Sequence, residues 1–89
     1  MHAVIAQATL DDPDAATANL RDQIVPMVKQ VPGFVAGYWV RIAGGDQGRA
    51  MMVFESEDAA RTVENQINQA PGEGVTLTSV EVGEVLESA

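Results

Sequence analysis

The sequence contains no cysteine and a single histidine, His2. The first absence excludes disulfides, thiolate nucleophiles and sulfur-ligated metals, and one imidazole cannot assemble a typical zinc site, so no metal is expected. Basic residues are also scarce: five Lys and Arg face 13 Asp and Glu, for a formal net charge of -8. A field of that sign repels a phosphate backbone and an anionic lipid surface alike, so neither nucleic acid nor membrane is an expected partner. No apolar run approaches the roughly 20 residues of a membrane-spanning helix, and Met1-His2-Ala3 does not open a secretory signal. The expected location is the cytoplasm. The chemistry left to the chain belongs to oxygen, aromatic and guanidinium groups.

Against these absences stands a globular composition, with 46% hydrophobic and 20% charged residues over 89 positions. That length suits one domain, residues 1–89, whose lone core would be thin. His2 to Leu10 alternates Val4, Ala6, Ala8 and Leu10 with Ala3, Ile5, Gln7 and Thr9, the period of a strand. Asp12-Pro13-Asp14 then starts a helix, Asp12 capping and Pro13 occupying a position that needs no amide hydrogen. Leu20, Ile24, Met27, Val28 and Val31 recur at helical spacing, and Pro26 predicts a kink, since it removes the hydrogen bond to Asp22. Pro32-Gly33 ends the helix. Phe34 to Ile42 reads as a second strand, Gly44-Gly45-Asp46-Gln47-Gly48 as a hairpin, and Arg49 to Glu55 as a third strand. Ser56 caps a second helix carrying Ala60, Val63, Glu64 and Ile67, and Pro71-Gly72-Glu73-Gly74 stops it. Val75 to Val85 closes the order with a fourth strand, in which Gly83 suggests a bulge.

The predicted fold is therefore α+β, a ferredoxin-like βαββαβ protomer with an antiparallel sheet and two helices on one face. Its other face has no cover. Yet Met51, Val53, Val35, Trp39 and Ile5 read as apolar on one side, while Met52, Phe54, Phe34, Val40 and Val4 read as apolar on the other. A second copy of the chain is the expected cover, giving a homodimer.

Val31-Pro32-Gly33-Phe34-Val35-Ala36-Gly37-Tyr38-Trp39, the Gly44-Gly45 hairpin and Val53-Phe54-Glu55-Ser56-Glu57 together resemble the antibiotic biosynthesis monooxygenase-like group of dimeric α/β barrel proteins. That resemblance spans the chain and implies two protomers whose sheets close into a barrel, with a pocket between sheet and helices in each. It also implies one of several activities: oxygenation of quinol-like aromatics without metal, flavin or other cofactor, haem breakdown, or no catalysis. The haem-degrading members use a His on the second helix with a nearby Asn and Trp. Here that helix carries Asn65 and no His, so haem breakdown is not expected.

The ligand-binding candidates are Tyr38, Trp39, Arg41 and Asn65, for a small hydrophobic or aromatic ligand. Trp39 and Arg41 alternate onto one strand face, so a flat ring and a fixed cation are placed to hold an aromatic enolate. The competing reading puts Trp39 in the dimer core with Arg41 paired to an acid at its rim; Tyr38, on the opposite face, either donates a hydrogen bond to a substrate oxygen under the helices or is core with its hydroxyl at the edge. His2 is the one ordinary general base, but it sits at the terminus, where exposure to solvent is expected. Glu55 serves either as a desolvated base or as a partner of Arg49. Met27, Met51 and Met52 suit an adaptable pocket or a core. Three functions remain open: a cofactor-independent monooxygenase, a non-catalytic ligand-binding dimer, and a structural interaction dimer.

Overall fold

The computed structural model describes all 89 residues. Strand β1 spans His2–Leu10, β2 Phe34–Arg41, β3 Gln47–Phe54 and β4 Val75–Glu84. They form one sheet in the order β2-β3-β1-β4, with every neighbouring pair antiparallel. Each helical crossover therefore skips one strand, the arrangement of a split βαβ unit, and the expected βαββαβ layout is what the chain adopts.

The first helix starts as the sequence implies. Asp12 has extended backbone and its carboxylate accepts the Ala15 N–H at 3.2 Å, with Pro13 in the first turn. Its middle departs from a simple kink. Pro13–Asn19 is α-helical, Leu20–Ile24 is a π-turn, and Val25–Lys29 returns to α. Pro26 has no N–H for the Asp22 carbonyl, and its ring crowds that carbonyl. Widening the preceding turn, so that the Val25 N–H reaches Leu20 O, accommodates both problems without a break. The second helix, Glu57–Gln69, is capped by Ser56, whose Oγ accepts the Ala59 N–H at 3.2 Å.

Both helices cover the same sheet face. Val28 of the first and Ala60, Val63 and Ile67 of the second are buried in one cluster with Val4, Met52 and Phe54. Phe34 meets Phe54 edge to face, ring centroids 5.8 Å apart, at the end of the core where Gly33 turns the chain with a φ of 92°. The opposite face is bare. Ile5, Tyr38, Val40 and Met51 lie exposed on it, with exposed Val35 beside them.

Two bulges change the faces expected from alternation. Phe34 pairs with Phe54 but Ala36 pairs with Val53, so Val35 is an extra residue in β2. Every later residue of β2 is thereby moved to the other face: Trp39, opposite Ala50, faces the helices, and Tyr38, opposite Met51, faces away. The assignment of Trp39 to a dimer core and Tyr38 to the helix side is thus inverted. In β4 the irregularity lies where Gln7 pairs with Ser79 and Ala8 with Leu77, leaving Thr78 extra, and Gly83 pairs regularly with Ala3. The tight β2–β3 connection uses positive φ at Ala43 (49°) and Gly44 (69°), closed by the Gly45 N–H donating to Ile42 O at 2.9 Å.

Candidate functional site

The helix face of the sheet is uneven in side-chain size. At one end Val4, Met52 and Phe54 fill the space under the helices. Towards the other, β1 presents Ala6 and Ala8, β3 presents Gly48 and Ala50, and the first helix answers with Ala16. Side chains that small cannot reach the opposing layer, and a cavity of about 200 Å³ results. Leu10, Leu20, Ile24, Ile67, Val75 and Leu77 complete apolar walls, and 13 of the 18 lining residues are hydrophobic. The volume falls below the 300–1,000 Å³ of drug-sized sites, which suits a ligand of one or two fused rings.

Trp39 forms the β2 wall. Its indole folds along the strand over Gly37, where a Cβ would lie 2.9 Å from the ring carbon Cη2. Gly37 is therefore what allows the ring to lie flat. Arg41, two residues on, stands at the mouth on the same face, and its Nε donates to Gly45 O of the hairpin at 2.6 Å. That bond fixes the guanidinium while leaving its terminal nitrogens free to donate. Arg49 borders the cavity only as the residue between Gly48 and Ala50: it pairs with Gln7 and Val40 on the bare face, and its Nη1 donates to Gly48 O at 2.9 Å. Neither arginine has a carboxylate partner: the ion pairs of the chain are Arg21–Asp22, Arg61–Glu57 and Arg61–Glu64. On the outer side of the second helix, Arg61 is raised above its ordinary value, chiefly by its hydrogen bond to Glu64.

No Asp, Glu, His, Lys or Tyr lines the cavity. The Thr17 hydroxyl does, and it donates to Pro13 O at 2.8 Å.

Of the four candidates from the sequence, Trp39 and Arg41 come together here and two do not. Tyr38 is 70% exposed on the bare sheet face. Asn65 is exposed on the second helix; it lies two residues from both Val63 and Ile67, about 200° around the axis from the buried stripe. His2 is half-buried rather than exposed, with its Nδ1 buried and unpartnered. It pairs with Phe54 and Glu84 at the far end of the sheet, away from the cavity. Glu55 is exposed and makes no pair with Arg49, which lies at the other end of β3. Met52 is buried and lines the cavity, Met27 packs on the core from the first helix, and Met51 is on the bare face. The small residues that create the cavity were not among the candidates. Their signal was present in Ala6-Gln7-Ala8 and Gly48-Arg49-Ala50, where small residues occupy one face of two adjacent strands. No three His, Asp or Glu side chains gather in a way that holds a metal ion, and no helix is long and apolar enough to cross a membrane.

No protein-family model and no curated protein sequence matches the chain. Solved structures do. HapK from Hahella chejuensis superposes with a TM-score of 0.71 at 17% identity, over 100% of this chain and 96% of that one. A protein of Shewanella loihica PV-4 proposed to be a monooxygenase gives 0.61 at 18% identity, over 99% of both chains. A monooxygenase from the gene ActVA-Orf6 of Streptomyces coelicolor, solved with nanaomycin D, gives 0.56 at 17% identity, over 98% of this chain and 92% of that one. The ferredoxin-like fold implied by the stretch around Pro32-Gly33-Phe34 is thus shared with these proteins along essentially the whole chain.

Proposed function

We propose that the chain binds a flat aromatic or quinol-like molecule in the cavity beneath the first helix and acts on it as a cofactor-independent monooxygenase. The observation that carries this reading is the pairing of an apolar, helix-covered cavity with Trp39 on its wall and Arg41 at its mouth. The indole gives a flat face for stacking and the guanidinium a fixed cation for a developing oxyanion. Apolar walls beside the reacting carbon favour reaction of an electron-rich anion with oxygen by limiting its solvation. The fold shared with a monooxygenase solved with nanaomycin D supports the same class of ligand.

The working unit in this proposal is a homodimer joined through the bare sheet faces. Five large apolar side chains, Ile5, Val35, Tyr38, Val40 and Met51, are between 36% and 70% exposed there. Completing their burial on two protomers, at about 1 kcal/mol or more per side chain, gives on the order of 10 kcal/mol, within the range needed to offset association.

One observation favours a second reading, a ligand-binding dimer without catalysis: the cavity contains no acid or base to move a proton. Oxygen uptake separates the two. Reduced naphthoquinols under air, with wild type and Trp39→Phe, should show uptake above background that falls in the variant. Background uptake in the wild type, with the quinol bound, leaves the binding reading alone.

A further inference from the structure

We infer that the ligand enters this cavity as a preformed anion, its charge set by its own acidity and matched by Arg41. The inference rests on the proposed site and narrows it to molecules that ionise by themselves near neutral pH, such as hydroxyquinones and enolised 1,3-diketones.

To remove a proton, a side chain must come within about 2.6–3.2 Å of it, directly or through one water. The ionisable side chain on the cavity face is Arg41, and a guanidinium holds its proton throughout the accessible range. Thr17, the lining hydroxyl, is already committed to Pro13 O. A neutral phenol or ketone entering here therefore meets no group that can take its proton. An anion meets the opposite situation. The chain as a whole carries -8, so its overall field does not draw an anion in, and attraction has to come from nearby groups. Among five basic residues competing for 13 acids, Arg41 at the cavity mouth is left without a carboxylate. The Gly45 carbonyl holds it instead, at 2.6 Å. Carbonyls orient a guanidinium without neutralising it. The cavity therefore presents uncompensated positive charge at the rim of an apolar interior, a combination that selects an anionic oxygen attached to a flat apolar body.

A matched pair of ligands tests this at pH 7. 2-Hydroxy-1,4-naphthoquinone is an anion there, and 2-methoxy-1,4-naphthoquinone has the same rings without the charge. Titration calorimetry with the wild type should show the hydroxy compound binding about tenfold or more tighter, the range of one charge-assisted hydrogen bond at a partly exposed site. Arg41→Gln should reduce that preference to near unity while the methoxy compound binds as before, and Arg49→Gln, on the bare face, should leave it unchanged. Equal binding of both compounds to the wild type overturns the inference and leaves the cavity as a ligand site. A preference that persists in Arg41→Gln overturns the role of that arginine. If neither compound binds, the proposed site itself fails and the inference with it. The wild-type comparison decides the central point even where a variant folds poorly.

Discussion

If the cavity is a real void kept open by small residues, filling it should stabilise the protein and abolish ligand binding together. Ala8 is the position to change. It lies on the helix face of β1 between Gly48 and Leu77, and it lines the cavity. Ala8→Leu adds three carbons, worth up to about 2.4 kcal/mol at about 0.8 per fully buried methylene. Two effects reduce that figure: the added groups stand near an open mouth, and ordering a leucine costs about 0.5–1 kcal/mol. The expected net gain is about 1 kcal/mol, which raises the melting temperature by about 4–8 °C in a domain of this size. Thermal melts at one fixed protein concentration measure it, since the midpoint of a dimer depends on concentration. Binding is read on the same samples by the fluorescence of Trp39, the single tryptophan, which lines the cavity wall. A loss of stability above 1 kcal/mol would show that no room exists for the leucine. Stabilisation with undiminished binding would place the ligand elsewhere.

Other substitutions act on the cavity wall, the bare sheet face and the first helix. Gly37→Ala sets a methyl 2.9 Å from the Trp39 ring and should swing the indole, shifting its emission and weakening ligand binding by tenfold or more; an unchanged spectrum refutes the stacking. Met51→Glu places a charge at the centre of the bare face and should convert dimer to monomer in light scattering, at a stability cost confined to association. Gly74→Ala forces a left-handed residue at φ 75° and sets a methyl 2.7 Å from Asp12 O, so a loss of about 1–3 kcal/mol is expected in urea melts. Asp12→Ala removes the first-helix cap and should cost about 1 kcal/mol by the same measurement, with no change in ligand affinity beyond that of a looser helix.

Much of the architecture was legible because its causes are local. Asp12-Pro13 and Ser56 announce helix starts through side-chain oxygens that accept nearby amides, and both caps form. Pro32-Gly33 and the Gly44-Gly45 hairpin mark turns through backbone freedom that few other residues have. Alternation over β1 and β3 sorted helix-facing from bare positions correctly, from Val4 and Met52 to Ile5 and Met51. It failed in β2, where one extra residue at Val35 reverses the parity of everything after it. A bulge is chosen by how two strands pair, and pairing partners lie about 20 residues apart here, beyond the reach of a local pattern. The half-buried position of His2 escaped for a related reason, since only the flanking β3 and β4 turn a chain terminus into a sheet interior.

The amino-acid order by itself determined the succession of strands and helices, the net charge of -8, and the absence of cysteine chemistry. Those properties depend on residue identity and on neighbours a few positions away. Tertiary structure alone decided that Trp39 rather than Tyr38 looks into the cavity, that Ala6, Ala8, Gly48 and Ala50 leave a hollow there, and that Arg41 stands at it without a carboxylate. Each of these is a relation between strands, set by register and by which side chains fail to meet across the layer, and a one-dimensional pattern does not contain it.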